Sequence, residues 1–279
     1  MDAEALLQAG IAAFRAGGLA EARALFFRSG QAGKLQGSVI YCYLTASRFD
    51  WDEGISLLRQ LAPYRQDCAR QLALIEAMTG DPIPPGELLS EAPHITRFRS
   101  LFTRAECAYL IAAAGPMFAR ATILLRGRET PDPARSSDSA AFPLSIENPA
   151  VHALNRRIAA ASGTHVVQGE PLQILRYRQR GEYKPHFDAI PGLANQRVLT
   201  MLVWLNDAFE GGETEFPKAG ITIKGEIGDA LLFRNILPDG SRDPDTVHAG
   251  LPVISGEKLL ASRWIRARSF QPEFDGNAA

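Results

Sequence analysis

The sequence predicts an α+β protein. An all-α, helical-repeat-like domain is expected over residues 1–80, a linker over 81–95, and a double-stranded β-helix (jelly-roll) domain flanked by helices over 96–273. Three observations carry this. Apolar residues recur at helical spacing as far as about residue 80. Four prolines and two glycines then crowd residues 79–93, which no helix could cross. After Gly163, short alternating or apolar runs are divided by Gly, Pro and Asp, the pattern of a sandwich or jelly roll and not of βαβ units.

In the first region Leu6, Leu7, Ile11 and Phe14 share one helical face, as do Ala22, Leu25 and Phe26, with short Gly-containing turns between them. The piece "GGLAEARALF" is echoed about 32 residues on by "FDWDEGISLL", so that Leu19 matches Trp51 and Glu21 matches Glu53. That interval is close to the ~34 of tetratricopeptide repeats. An irregular helical bundle with one echo is the alternative. Beyond the linker, Thr103 and Glu106 stand at capping-box spacing and predict a helix over 104–114. "NPAVHALNRRIAAASG" predicts another, ended by Gly163. The strands are expected in "EPLQILRYR", "VLTMLVWLN", "TEFP", "GITIK", "DALLFRN", "GLPVI" and "KLLASRWIRARSF".

Composition narrows the function. Of 279 residues 46% are hydrophobic, enough for a packed core, and 30 Lys and Arg against 31 Asp and Glu leave no basic field for nucleic acid or membrane. The acidic start "MDAEALLQAG" lacks the order of a signal peptide, and no apolar run approaches the ~20 residues that cross a bilayer. A soluble cytoplasmic protein is expected. Cys42, Cys68 and Cys107 are odd in number and widely spaced, which fits reduced thiols.

The chemistry starts at "YKPHFDA". In an extended strand, side chains two apart share a face, so His186 and Asp188 can offer an imidazole nitrogen and a carboxylate to one point. Alone, the pair is equally an ordinary polar strand end. His248 in "DPDTVHAGLPV" supplies a third candidate, since a jelly roll brings strands remote in sequence side by side. Two histidines and one carboxylate are the facial triad of non-haem Fe(II), with positions open for a cosubstrate and dioxygen. Lys258 lies ten residues beyond His248 on a strand. A cation inside a barrel is costly without an anion, and the far carboxylate of 2-oxoglutarate would supply one.

With these pieces in order, the sequence resembles the prolyl 4-hydroxylase-like branch of the Fe(II)- and 2-oxoglutarate-dependent dioxygenases. "LQILRYRQRGEYKPHFDA" resembles that family's first metal-binding strand, "RVLTMLVWLNDAFEGGETEFP" its central strand and Gly-Gly-Glu-Thr turn, and "GDALLFRN" with "DTVHAGLPVISGEKLLASRWI" its closing strands. The resemblance runs from about 96 to 270 and does not reach residues 1–80. It implies iron ligands at His186, Asp188 and His248, a cosubstrate anchor at Lys258, and Tyr177, Tyr183 and Thr200 around 2-oxoglutarate and the mouth. It also implies dioxygen as co-reactant and ascorbate as reductant. Arg135 and Ser136 resemble a substrate-side motif in the polar stretch 125–142, which suits a lid.

The sequence departs from the family at Arg234, at Leu259 and at Trp204, which stands where a Tyr is usual. These positions bear on the substrate, so Arg234 and Trp204 join Tyr183 and Arg135 as candidate substrate residues. A helical-repeat module beside such a barrel suggests a prolyl residue in a peptide or protein, with the helices holding a protein partner. Arg234 instead suits a small carboxylated substrate such as free proline or a related amino acid. A non-catalytic metal-binding scaffold is the third reading.

Overall fold

The structure is a computed structural model that describes residues 1–125, 128–132 and 134–270. It divides into two compact units, Met1–Asp81 with Leu144–Ala153, and Pro82–Pro143 with the chain from Leu154 onward.

The first unit holds α1 (Ala3–Arg15), α2 (Leu19–Gln31), α3 (Leu35–Arg48), α4 (Trp51–Leu61) and α5 (Gln66–Met78). Asp2 and Asp50 cap α1 and α4 by accepting hydrogen bonds from the backbone at Ala5 and Glu53. α1 starts 32 residues before α3, and α2 starts 32 residues before α4, so the echo in the sequence coincides with equivalent helix starts. Each helix packs chiefly on its neighbour in sequence. The contacts are close because small residues face one another: a Cβ on Gly30 would strike Ser38, and one on Gly54 would strike Ala46. Leu7, Ala22, Phe26 and Leu44 form the buried apolar cluster.

The second unit opens with β1 (Gly86–Glu91), β2 (His94–Phe98), α6 (Arg104–Ala114), β3 (Ala119–Arg120), β4 (Thr122–Leu125), β5 (Arg128–Pro131) and β6 (Asp138–Phe142). After α7 (Pro149–Ser162) come β7 (Leu172–Tyr177), β8 (Tyr183–His186), β9 (Arg197–Trp204), β10 (Phe209–Gly211), β11 (Thr214–Phe216) and β12 (Ile221–Ile223). β13 (Ala230–Arg234), β14 (His248–Gly250), β15 (Val253–Gly256) and β16 (Lys258–Arg266) complete it. Eight strands form the larger sheet in the order β1-β2-β13-β9-β16-β7-β6-β3, and four form the smaller, β12-β11-β14-β8. The core joins inward residues of the larger sheet, Leu202, Leu231, Phe233 and Leu260, to Phe216 and Ile223 of the smaller. Two antiparallel sheets facing across one apolar interior are a jelly roll.

The helices brace the outer face of the larger sheet. Thr103 and Glu106 make the expected capping box at α6, and Arg157 of α7 meets the buried Glu106 at 2.9 Å. Arg263, projecting outward from β16, donates to the carbonyl oxygens of Glu170, Asn155 and Val166. Gly163, with φ of +66°, ends α7.

The stretch 81–95 is not only a linker, since it contains all of β1 and the start of β2. Pro82, Pro84 and Pro85 bar a helix, but an edge strand tolerates the residues that follow, and Leu89 packs against the barrel core. Residues 271–273 of the expected barrel domain, and 126, 127 and 133 of the expected lid, lie outside the described residues. Among the described residues no helix is long and apolar enough to cross a membrane. The three cysteines are free and buried.

Glu106 is 2% exposed, so removing its cation strands a charge. Arg157→Ala is expected to destabilise the fold by ~3 kcal/mol, read as a lower urea midpoint at unchanged slope. A change under about 1 kcal/mol would show the pair to be dispensable.

Candidate active site

β8 and β14 are neighbours in the smaller sheet, and their register sets His186 directly opposite His248. β8 ends at His186, so Asp188 lies on the bend just after the strand and not within it. The bend keeps the two-residue phase. Asp188 Oδ1 is 3.6 Å from His186 Nε2, and Oδ2 is 3.7 Å from His248 Nε2. One donor atom from each residue lies within 4.8 Å of the others.

Both imidazoles are held in one tautomer by the backbone two residues upstream. His186 Nδ1 donates to the Lys184 carbonyl at 2.9 Å, and His248 Nδ1 to the Thr246 carbonyl at 3.0 Å. With Nδ1 protonated, each Nε2 turns a lone pair to the common centre, the arrangement in which histidines bind a metal. Burial, with His248 alongside, pulls His186 down to about 4, so its ring is neutral at pH 7. Burial raises the Asp188 carboxyl, but His248, His186 and the Thr200 hydroxyl outweigh it and hold the group below its ordinary range. Two imidazole nitrogens and one carboxylate fit Fe(II) with coordination positions left over.

The carboxylate has its own support. Thr200 Oγ1 donates to Asp188 Oδ2 at 2.6 Å, and Asn235 Nδ2 donates to Thr200 Oγ1 at 2.9 Å. Because Asn235 supplies a proton to the hydroxyl oxygen, the single hydroxyl proton is committed to Asp188. One carboxylate oxygen is thereby engaged, and Asp188 would hold a metal with the oxygen that remains.

The cavity beside the three donors is walled by Arg135, Tyr177, Tyr183, Thr214, Lys258 and Trp264, with apolar side chains between them. Lys258 is 2% exposed, and its Nζ donates to the Gly212 carbonyl at 2.6 Å. Gly211 and Gly212 both have φ near +70°, and a Cβ on Gly211 would meet the Pro252 carbonyl at 2.5 Å. The paired glycines therefore shape the turn that receives the lysine. Burial pulls Lys258 down to about 8, opposed by Glu213. Tyr177 faces Lys258 across the strand pair, its ring 5.5 Å from Nζ, and burial pushes its hydroxyl upward. Tyr183 stacks on His186 with centroids 3.5 Å apart, and burial pushes it up to about 12. Arg135 lies over Tyr183 at 5.3 Å and pairs with Asp132 at 3.4 Å.

Seven of the ten candidate residues thus meet in one cavity: His186, Asp188, His248, Lys258, Tyr177, Tyr183 and Arg135. Three do not line it. Thr200 sits behind Asp188 and is spent on it. Trp204 is fully buried in the barrel core against Gly225, where no Cβ would fit. Arg234 is exposed: Leu231 and Phe233 point inward, so strand alternation turns Arg234 out. The sequence reading missed Thr214, Asn235 and Trp264. Trp264 lines the cavity, and its indole N–H is buried with no acceptor among the described residues. Strand parity with Leu260 was the signal that could have found it.

Thr200→Val and Asn235→Ala are expected to weaken Fe(II) or Co(II) binding by roughly 10–100-fold, measured by titration calorimetry, while Thr200→Ser holds it. Equal affinities for Thr200→Val and the parent would dismiss the hydroxyl's role.

The relatives agree with this geometry. Residues 172–266 match the 2OG-Fe(II) oxygenase superfamily. Prolyl 4-hydroxylase 1 of Arabidopsis thaliana is 36% identical over 205 residues, covering 66% of this chain and 72% of the relative. Probable prolyl 4-hydroxylase 10 of the same plant is 31% identical over 211 residues, covering 66% and 73%. Among solved structures, a viral collagen prolyl hydroxylase from Paramecium bursaria Chlorella virus-1, in its 2-oxoglutarate complex, superposes with a TM-score of 0.50 at 27% identity, covering 62% of this chain and 96% of that one. The chain belongs to the prolyl 4-hydroxylase family of the Fe(II)- and 2-oxoglutarate-dependent oxygenases.

Proposed function

We propose that this enzyme hydroxylates a prolyl residue in a peptide or protein, with Fe(II) held by His186, Asp188 and His248 and 2-oxoglutarate anchored by Lys258. The observation that carries the reading is one cavity with the three donors on one side and a buried, anion-seeking ammonium on another. Two relatives to which the chain is similar are named prolyl 4-hydroxylase 1 and probable prolyl 4-hydroxylase 10, which supports the substrate class.

Iron held by the three donors would, with 2-oxoglutarate, supply the activation of dioxygen, one oxygen atom of which enters a substrate C–H bond while the other enters the succinate formed as the cosubstrate loses carbon dioxide. The protein's residues bind, orient and exclude water. Lys258 pairs with the distal carboxylate of the cosubstrate, and the Trp264 indole N–H and Thr214 hydroxyl stand in the same wall as further donors. Tyr183 and Arg135 form the side of the mouth where a peptide would pass. Arg234, one of the features that suit a free amino acid, faces solvent on the outer side of β13. Helices α1–α5, read as tetratricopeptide-like, would hold the protein that carries the proline.

Incubating the enzyme with proline-containing peptides, Fe(II), 2-oxoglutarate and ascorbate is expected to yield succinate and peptide heavier by one oxygen. His186→Ala should abolish both. Succinate formed with free proline but with no peptide would overturn the peptide reading. The ammonium of Lys258 is charged below about 8, so affinity for 2-oxoglutarate should be level below that pH. It should then fall by up to about tenfold per unit above it. Affinity unchanged to pH 9.5 would remove Lys258 from the site.

A further inference from the structure

The strand that turns Tyr177 toward the cavity carries Arg176 on its other face, and Arg178 and Arg180 follow just beyond its end. In "RYRQRG", Arg176, Arg178 and Arg180 alternate with Tyr177 and Gln179. Together with Arg120, Ser136 and Asp138 they line a second cavity, of about 290 Å³, separate from the first. Four guanidinium groups concentrated there stand out in a chain whose net charge is −1. Two carboxylates oppose them. Asp138 lies 2.8 Å from Arg176 and 3.2 Å from Arg178, and Glu257 lies 3.9 and 3.8 Å from the same pair. These contacts, with the Phe118 ring 4.2 Å from Arg176, fix the orientation of two cations and leave the groove with a positive excess.

The backbone adds an independent sign. Arg180 has φ of +67°, a conformation that favours glycine, although Gly181 stands beside it. The turn is pinned there by Arg180 N donating to the Val253 carbonyl at 2.8 Å and Gly181 N to the Arg178 carbonyl at 2.7 Å. A strained turn that projects an exposed guanidinium, where glycine would relieve the strain, marks a side chain kept for its chemistry.

The groove and the active-site cavity share two wall segments. Arg135 bridges Tyr183, and one residue along, Ser136 N donates to the Glu182 carbonyl at 2.9 Å while Glu182 N donates to Ser136 Oγ at 3.0 Å. The same two segments therefore wall the catalytic cavity at Arg135 and Tyr183, and the groove at Ser136 and Gly181.

We infer that the groove is a second substrate-binding site, taking an acidic segment of the peptide, Asp and Glu side chains a few residues from the target proline. This rests on the peptide-substrate reading above. Arginine forks suit carboxylates, and a site at this distance selects among prolines without touching the reacting carbon.

The test uses the full chain and two fluorescent peptides identical around one proline, with flanking Asp-Glu-Asp triplets or flanking Ser-Asn-Ser triplets. Binding is measured by anisotropy and turnover by mass. The acidic peptide is expected to bind about tenfold tighter at low salt, with a lower KM and equal kcat, and to lose that advantage in 0.5 M salt. The double variant Arg178→Ser with Arg180→Gly should remove the preference and leave turnover of the neutral peptide unchanged. Arg180→Gly relieves the turn, so the fold should hold. Equal binding of the two peptides, or a preference that survives in the variant, would overturn the proposal. So would a single-stranded oligonucleotide that displaces the acidic peptide at lower concentration. Anisotropy reads the groove without catalysis, so absence of turnover with both peptides would count against the prolyl reading alone.

Discussion

Holding a carboxylate and two imidazoles around one point, inside a barrel and out of water, is the constraint on which the catalytic end of this protein depends. An unsupported polar centre of this kind would be paid for in stability. Here each group is tied back: His186 and His248 to carbonyl oxygens of their own strands, Asp188 to Thr200 and through it to Asn235. The ties fix proton positions as well as geometry. They leave two nitrogen lone pairs and one carboxylate oxygen for a metal.

The surrounding architecture follows from that demand. His186 and His248 need adjacent strands, which β8 and β14 provide although 61 residues of chain lie between the two histidines. Asn235 comes from β13's end and Thr200 from β9, a paired set in the larger sheet, so both sheets contribute to one centre. Arg263 and the Glu106–Arg157 pair then hold the two helices against the outside of that sheet. The inside stays free for chemistry.

Much of this was legible in the sequence, and the limits have physical causes. Long periodic segments announced themselves, so α6 and α7 fall where the capping box and Gly163 put them. Two of the shortest strands did not: β10 and β14 have three residues each, too few for an alternation to declare itself. The metal donors were legible because few residue types can do that work. The cavity wall was harder. Thr200, Trp204 and Arg234 were placed by chain position, but a side chain's place depends on strand parity and on its depth along the barrel. Thr200 and Trp204 share an inward face, yet one reaches the carboxylate and the other fills the core. Asn235 could not be read at all, since its role exists only through Thr200.

The alternation in β7 has a consequence for how such a barrel can change. Tyr177 serves the interior, while its neighbours Arg176 and Arg178 face a different cavity. Point substitutions can therefore rewrite the outward residues and leave the inward ones alone, so an ancestral hydroxylase could be readdressed to new targets without rebuilding its chemistry. Insertion or deletion is another matter. A slip of one residue would exchange the two faces, driving a guanidinium toward the metal ligands and a phenol into solvent. Divergence along this strand should proceed by replacement at fixed length.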